Sequence, residues 1–221
     1  METKKKGTLL LVIIALAGWL ALGTQLYIII NRNIINDTSL IEGIIKFFSF
    51  FTVLTNLMVA LCATTNLLNS TSRTGKFFAR TSVKSAITVY IIIVCVVYNL
   101  MLRNLWNPQG LQLIADIILH QVIPALYFIY WLFFVTKGKL KWYFSLSWLV
   151  LPFFYLVYTL IRGAATGHYP YPFMDISQIG ISQMFLNTFI VMCGFIGIAL
   201  IIIAIDQAMK PNKEKRLPAH L

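Results

Sequence analysis

Residues 179–205 read IGISQMFLNTFIVMCGFIGIALIIIAI, an unbroken run of 27 residues without a charged side chain. An α-helix rises about 1.5 Å per residue, so this run is longer than the roughly 20 residues that cross the hydrocarbon core of a bilayer. An apolar run of this length is typical of a transmembrane helix and not of a soluble domain. The run therefore predicts a transmembrane helix and indicates that the chain is a membrane protein.

Five similar apolar runs precede this one, and short polar segments separate them. The predicted spans are residues 8–30, 45–68, 83–102, 111–135, 144–161 and 179–205. Hydrophobic residues make up 59% of the 221 residues and charged residues only 11%, whereas about 25% are charged in soluble globular proteins. This composition excludes the disordered, fibrous and soluble globular classes. We predict an all-α fold in which residues 1–221 form a single domain, a bundle of six transmembrane helices.

The basic residues are distributed unevenly between the two sides of this topology. Four of the 18 lie on one side, namely Arg32, Lys46, Arg103 and Arg162. The other 14 lie on the side of both termini: Lys4, Lys5, Lys6, Arg73, Lys76, Arg80, Lys84, Lys137, Lys139, Lys141, Lys210, Lys213, Lys215 and Arg216. Positively charged loops stay in the cytoplasm, so we predict cytoplasmic termini in a multi-pass protein of the plasma membrane. This bias explains the net charge of +11, and we predict no nucleic-acid partner.

Polar side chains inside the predicted spans fall at a common depth. Measured from the outer end of each span, Thr52 lies about 10 Å deep, Asn187 about 12 Å and His120 about 13 Å. Polar groups are costly in hydrocarbon, so they are functional candidates, and we expect a shared cavity in the outer half of the bilayer. Helix–helix hydrogen bonding remains the alternative role for each amide and hydroxyl. Further candidates to line or support the cavity are Thr55, Asn56, Asn99, Asp116, Gln183 and Gln25.

His120 is the only histidine inside a predicted span. Gln112, Asp116 and His120 recur every four residues, so they share one face of a helix. Pro124 follows one turn later and removes the backbone hydrogen bond to the His120 carbonyl, which predicts a kink beside the imidazole. An imidazole can take a proton from a hydroxyl, and Asp116 could orient the ring as the third member of a triad.

We predict neither a metal nor another cofactor. Cys62, Cys95 and Cys193 lie inside apolar runs and lack the paired spacing of a disulfide framework or a zinc site. Carboxylates are scarce in the spans, which disfavours a di-metal centre. Haem binding by a pair of membrane histidines would need a second histidine inside a span.

Three segments resemble motifs of the androgen-induced integral-membrane hydrolases. Residues 166–175, TGHYPYPFMD, resemble the TG-x-W-x-YPF-[LM]-E/D loop of that family. Residues 51–57, FTVLTNL, resemble its second-span segment [FL]-T-x-[IL]-[ND]-L, and residues 119–124, LHQVIP, resemble its fourth-span segment with a histidine before a proline. The segments occur in the order of the family, and the chain looks like one of its prokaryotic six-span relatives.

The resemblance implies an activity and a site. Animal members of the family are threonine hydrolases that cleave fatty acid esters of hydroxy fatty acids. By resemblance, Thr52 is the nucleophile, with Thr55 as the alternative, and His120 is the base. Ile117 stands where the animal members have a second histidine. The partner implied is a lipid or fatty acid ester that enters from the bilayer, and its identity does not transfer from the family.

Two other classes of function stay open at this point. A transporter or channel would need polar groups through the whole bilayer, and polar groups thin out toward the inner halves of the spans. A non-catalytic membrane scaffold would need no cavity, and its polar side chains would serve only to join helices. The sequence leaves the oligomeric state open as well.

Overall fold

The computed structural model describes residues 2–211, without the side chains of Thr3 and Lys4, and the regular secondary structure in this range is entirely helical. The all-α prediction is confirmed for these residues. The helices are α1 (Glu2–Ile35), α2 (Leu40–Phe48), α3 (Phe51–Leu67), α4 (Arg73–Ala79), α5 (Thr81–Val97), α6 (Gly110–Ile117), α7 (Ile123–Phe134), α8 (Phe144–Ser147), α9 (Val150–Thr166) and α10 (Ile176–Ala208). The predicted cytoplasmic residues Lys213, Lys215 and Arg216 lie outside the described residues, as does the side chain of Lys4.

Five stretches of the described chain are long and apolar enough to cross a membrane, and α2 and α3 together would make a sixth. The five are Lys5–Ile35, Thr81–Leu105, Gly110–Phe134, Phe144–Thr166 and Ile176–Ala208. Large apolar side chains such as Leu20, Phe154 and Phe189 are exposed on the outside of the bundle. Helices with exposed apolar faces of this size are suited to contact lipid tails. The chain is therefore a membrane-embedded helical protein.

The second predicted span, residues 45–68, is not one straight helix. α2 ends at Phe48, α3 begins at Phe51, and the two are bent by 74° at the break. The Ser49 hydroxyl donates to the carbonyl of Ile45 (2.6 Å), and the Ser49 carbonyl accepts from the Tyr155 hydroxyl (2.8 Å). These bonds supply partners for backbone groups that a break would otherwise leave unpaired in an apolar region. As a consequence, Thr52 lies in the first turn of a new helix instead of several residues into a continuous span.

The fourth span is also irregular, in a different way from the predicted kink. A π-helical turn, Ile118–Val122, joins α6 to α7 and contains His120, and Pro124 occupies the first turn of α7. A second π-helical turn, Tyr98–Leu102, continues α5 without any proline nearby. π-Turns are rare and are found frequently at functional sites. Both turns lie at the end of the bundle where α3 begins.

α3 and α5 lie at the centre of the bundle. Each has 9 of its 17 residues buried. The core around them is closely packed, with Ile87, Ile91, Ile123, Tyr127 and Trp131 all fully buried. Because neighbouring spans run in alternating directions, the start of α3, the end of α5 and the start of α6 meet at one end of the bundle.

At the opposite end, the segment after α7 is held against the end of α10. The Leu140 N–H donates to the carboxylate of Asp206 (2.8 Å), and the Gly138 N–H donates to the Asp206 carbonyl (2.9 Å). The Lys137 ammonium lies 3.8 Å from the centre of the Trp131 ring. These contacts fix the ends of α7 and α10 together, far along both helices from His120.

In the loop between α9 and α10, the Tyr169 ring packs closely against Gly163 of α9. A Cβ atom at Gly163 would lie 2.0 Å from the Tyr169 ring, whereas a Cβ atom at Gly197 would meet nothing within 4 Å.

We predict that Gly163→Ala lowers the free energy of unfolding by about 1–3 kcal/mol, because the ring has to move. Gly197→Ala, the matched control, should be neutral or stabilising by about 1 kcal/mol. Thermal unfolding in detergent micelles measures both, and equal midpoints would contradict the close packing of this loop.

Candidate active site

The structure brings Thr52 and His120 together across two helices. The hydroxyl oxygen of Thr52, in the first turn of α3, lies 3.3 Å from Nε2 of His120, in the π-turn before α7. Thr52 is buried, with 8% of its surface exposed. The residues are 68 positions apart in sequence, so only the packing of α3 against the fourth span can place them in contact.

The hydrogen bonds of His120 define which ring nitrogen carries the proton. Nδ1 lies 2.9 Å from the carbonyl oxygen of Asp116. A carbonyl oxygen can only accept, so Nδ1 must carry the hydrogen. In the neutral ring Nε2 is then the acceptor, and the hydrogen between it and Thr52 belongs to the hydroxyl. This is the arrangement that a general base needs beside a nucleophilic hydroxyl.

Asp116 and Tyr98 hold the imidazole from the other side. One carboxylate oxygen of Asp116 lies 3.2 Å from Nδ1 of His120, and the other accepts a hydrogen bond from the Tyr98 hydroxyl. The Tyr98 ring stacks on the His120 ring, with centroids 4.0 Å apart and planes 13° from parallel. Thr52, His120, Asp116 and Tyr98 thus form one cluster, in which Nδ1 of His120 bonds the Asp116 carbonyl and the carboxylate oxygen beside it has no hydrogen-bond partner. Tyr98 was absent from the sequence-based candidates, because nothing in its spacing separates it from packing tyrosines.

Tyr171, from the loop before α10, reaches the start of α3. The backbone N–H of Thr52 donates to the Tyr171 hydroxyl at 3.4 Å. The first N–H groups of a helix have no partner inside the helix, and at this helix start no side chain of the N-cap residue Phe50 supplies one. Burial raises the pKa of Tyr171, so its phenol keeps its proton at neutral pH. Sequence analysis missed this residue, although the TGHYPYPFMD segment pointed to the loop that carries it.

Thr52, Tyr98, Asp116 and His120 all line a cavity of about 340 Å³, which is here called the polar cavity. Its polar lining comes from Gln25, Gln112, Asp116, His120 and Thr52. The Gln112 amide donates to the Gln25 side-chain oxygen at 2.8 Å, which joins α6 to α1 at the same place. Loop side chains, among them Trp106 and Pro170, also line the cavity. The polar cavity therefore extends from the Thr52 hydroxyl to the loops at this end of the bundle.

The two other candidates on α3 have structural partners. The Thr55 hydroxyl donates to the carbonyls of Phe51 (2.9 Å) and Thr52 (3.1 Å) and is fully buried. The Asn56 amide donates to the carbonyl of Thr52 (2.8 Å) and, across the helix interface, to that of Leu119 (3.1 Å). Neither residue lines the polar cavity. Thr52 is thus the hydroxyl that faces His120, and Asn56 joins the two segments that carry this pair.

Three further candidates lie away from the polar cavity. The Asn99 amide donates to the carbonyl of Cys95 (2.8 Å) in its own helix. The Gln183 amide donates to the Asn187 side chain (2.9 Å), and Asn187 donates to the carbonyl of Phe173 (3.0 Å). None of these three amides lines the polar cavity, since each is bonded to a nearby partner, and the alternative that they support the site stays a prediction. Asn187 instead ties α10 to the loop that contains Tyr171.

Within residues 2–211, no group of three or more His, Cys, Asp or Glu side chains is placed to hold a metal ion. Comparison with known proteins adds no assignment: no protein-family model, curated protein or solved structure matches the chain. What this site can do must therefore be argued from its own geometry.

The hydrogen bond from Asn56 to the Leu119 carbonyl is expected to stabilise the packing of α3 against the fourth span. Replacing Asn56 by Leu keeps the size of the side chain but removes both donated hydrogen bonds, so we expect a loss of about 1–3 kcal/mol in the free energy of unfolding. Thr55→Val is the matched control one position earlier, and it should cost less than about 1 kcal/mol because its hydroxyl bonds only its own helix. Chemical denaturation in mixed micelles measures both. An Asn56→Leu protein as stable as Thr55→Val would show that this amide does not join the helices.

Proposed function

We propose that the protein is a membrane-embedded hydrolase of lipid esters, with Thr52 as the nucleophile and His120 as the base. The observation that carries the proposal is the hydroxyl of Thr52 lying 3.3 Å from the free acceptor nitrogen of His120. A threonine hydroxyl is a weak nucleophile until a base takes its proton. In a membrane protein such a pair is also expensive to bury, which makes it a candidate functional site.

The reaction follows from the order of the hydrogen bonds. As the Thr52 oxygen attacks the ester carbonyl, its proton passes to Nε2 of His120 and a tetrahedral oxyanion forms. Collapse breaks the bond to the alcohol oxygen, which leaves with the proton from His120. A water molecule then attacks the acyl–Thr52 ester and gives its proton to His120. The acid is released and the Thr52 hydroxyl is restored, so one ester and one water give one acid and one alcohol.

Two donors are close to where the oxyanion would form. The Thr52 N–H belongs to the first turn of α3, where the aligned backbone dipoles favour negative charge. The Tyr171 hydroxyl lies beside it, and their mutual bond is long, at 3.4 Å. An oxyanion that accepted from both would replace a weak contact with two charge-assisted ones. Asn56, Gln183 and Asn187 have their amide donors bound elsewhere, so Thr52 and Tyr171 are the donors in this proposal.

Asp116 and Tyr98 serve as positioning residues in the proposal. The Asp116 carboxylate faces Nδ1 of His120, so it would stabilise the imidazolium formed when Thr52 loses its proton. The carboxylate is 3% exposed and is itself held by the Tyr98 hydroxyl. The stacked Tyr98 ring prevents the imidazole from turning away from Thr52.

The resemblance to the androgen-induced integral-membrane hydrolases supports the same assignment. Its three motif segments supply Thr52, His120 and the Tyr171 loop, which are the parts that meet here. We propose in addition that the bent α2–α3 pair forms one of six spans and that both termini are cytoplasmic, in the plasma membrane. In that orientation the polar cavity opens outward, and a lipid ester would reach it with its chains still in the bilayer.

The polar groups at the other end of α3 support a cavity that is open on one side only. Thr64 and Thr65 donate to the carbonyls of Ala60 (2.8 Å) and Leu61 (2.7 Å), and Asn66 donates to that of Cys62 (2.7 Å). Asn66 also donates to the carbonyl of Phe78 in α4 (3.3 Å), so these donors are bound to nearby carbonyls. This favours a reaction site over a route for a permeant, which would need polar lining on both sides.

We predict that Thr52→Ala and His120→Ala each lower the rate of ester hydrolysis by roughly 10³-fold or more, since the residues act as one unit. Both variants should also lose labelling by a fluorophosphonate probe. The matched controls are Thr65→Ala, in the same helix, and His168→Ala, in an exposed loop; both should keep rate and labelling. Labelling that persists in Thr52→Ala and disappears in Thr55→Ala would transfer the nucleophile to Thr55, and labelling lost in neither would refute the hydrolase mechanism.

A second prediction concerns Asp116. Asp116→Asn keeps the shape and removes the charge, so kcat should fall by about 10²–10⁴-fold while KM changes little. Asp175→Asn is the control, because Asp175 is a buried aspartate that caps α10 and asparagine caps helices equally well. Its kcat should stay near that of the native protein. An Asp116→Asn enzyme with unchanged kcat would show that the carboxylate does not assist His120.

A further inference from the structure

Thr52 also lines a second cavity, which His120 does not line. It has a volume of about 70 Å³, and it is here called the apolar cavity. Side chains of α5, α9 and α10 enclose it, among them Val94, Val97, Leu156, Val191, Met192 and Phe195. Thr52, Tyr98, Leu102 and Tyr171 line both cavities, whereas His120 and Asp116 line only the polar one. Thr52 is therefore a wall residue of both cavities, and only the polar cavity also has His120 and Asp116 in its wall.

The polar atoms on the wall of the apolar cavity are already bonded within the protein. The Tyr155 hydroxyl donates to the carbonyl of Ser49 (2.8 Å), and the Thr188 hydroxyl donates to the sulfur of Met184 (3.5 Å). No charged side chain lines this cavity among the described residues. Such a compartment receives hydrocarbon favourably and gives water no partners to replace those it would lose.

The chemistry of ester cleavage indicates which part of the ester each cavity would hold. The alcohol oxygen must leave on the side where His120 can return the proton, and the attacking water must arrive on that same side. Both therefore use the polar cavity. The acyl group stays bonded to the Thr52 oxygen during the second half of the reaction, so its chain must extend away from His120.

We infer that the apolar cavity holds the acyl chain of the ester, and that the polar cavity holds its alcohol part and the water that completes turnover. This rests on the proposed function. Small-molecule pockets usually measure about 300–1,000 Å³, whereas a cavity of about 70 Å³ has room for only about five water-sized groups, so it holds the first few carbons of the acyl chain and favours an unbranched chain there. The substrate class is an ester of an unbranched fatty acid, and the cavity selects the length of the acid.

The test varies the acyl chain alone. Purified full-length protein in micelles is given 4-nitrophenyl acetate, butyrate, octanoate and palmitate, and kcat/KM is measured for each. Val191→Phe narrows the apolar cavity, so it should lower kcat/KM for octanoate and palmitate roughly tenfold or more and leave acetate within about threefold. Met192→Ala widens it and should shift the preference toward the longer esters. Ile190→Phe is the control, because Ile190 is exposed on the outer face of α10 and lines neither cavity.

The outcomes separate the two proposals. Opposite shifts in chain-length preference for Val191→Phe and Met192→Ala, with Ile190→Phe like the native protein, support the acyl cavity. Hydrolysis by the native protein with the same preference in all three variants overturns the acyl cavity and leaves the hydrolase standing. Failure of the native protein to hydrolyse any of the four esters, with no fluorophosphonate labelling of Thr52, overturns the hydrolase and the acyl cavity together.

Discussion

A polar side chain placed in hydrocarbon must find its hydrogen-bond partners inside the protein, and this constraint organises the interior of the bundle. At one end it is met by three bonds, of Thr52 with His120, of His120 with the Asp116 carbonyl, and of Tyr98 with the Asp116 carboxylate. Each of these bonds joins two helices or two successive turns, so together they also fix how α3, α5 and the fourth span pack. The interactions proposed for catalysis thus hold the helices in register.

Irregular parts of the helices carry the same residues. α3 begins after a 74° bend, and π-turns carry Tyr98 and His120. α10 is broken close to the loop, where Gly180 has φ 75° and ψ 161°. The interior of a regular helix satisfies its backbone groups internally and offers none to a ligand, whereas the first N–H groups of a helix have no partner within it. The bend before α3 leaves the Thr52 N–H without a partner in its own helix, beside the hydroxyl proposed as the nucleophile, and this N–H donates to the Tyr171 hydroxyl.

Much of the fold could be predicted from sequence, because lipid imposes a simple rule on composition and length. The apolar runs predicted the helices, and the spacing of Asp116 and His120 placed them correctly on one face. The break within residues 45–68 could not be predicted, since Ser49 and Phe50 are tolerated in a continuous helix and the bend depends on Tyr155, about 100 positions away. For the same reason the amides of Asn99, Gln183 and Asn187 looked like cavity residues, although each is bonded elsewhere.

The sequence by itself determined that this protein is helical and membrane-embedded, and it nominated Thr52 and His120 from residue chemistry and resemblance. Only the tertiary structure decided that these two side chains meet, that Tyr98 and Tyr171 lie beside them in the candidate site, and that Thr52 lines two cavities. The physical reason is the distance along the sequence over which each property is set. Hydrophobic length and helical periodicity are local properties of a chain, whereas the direction of a hydroxyl toward an imidazole 68 residues away is set by how whole helices bend and pack.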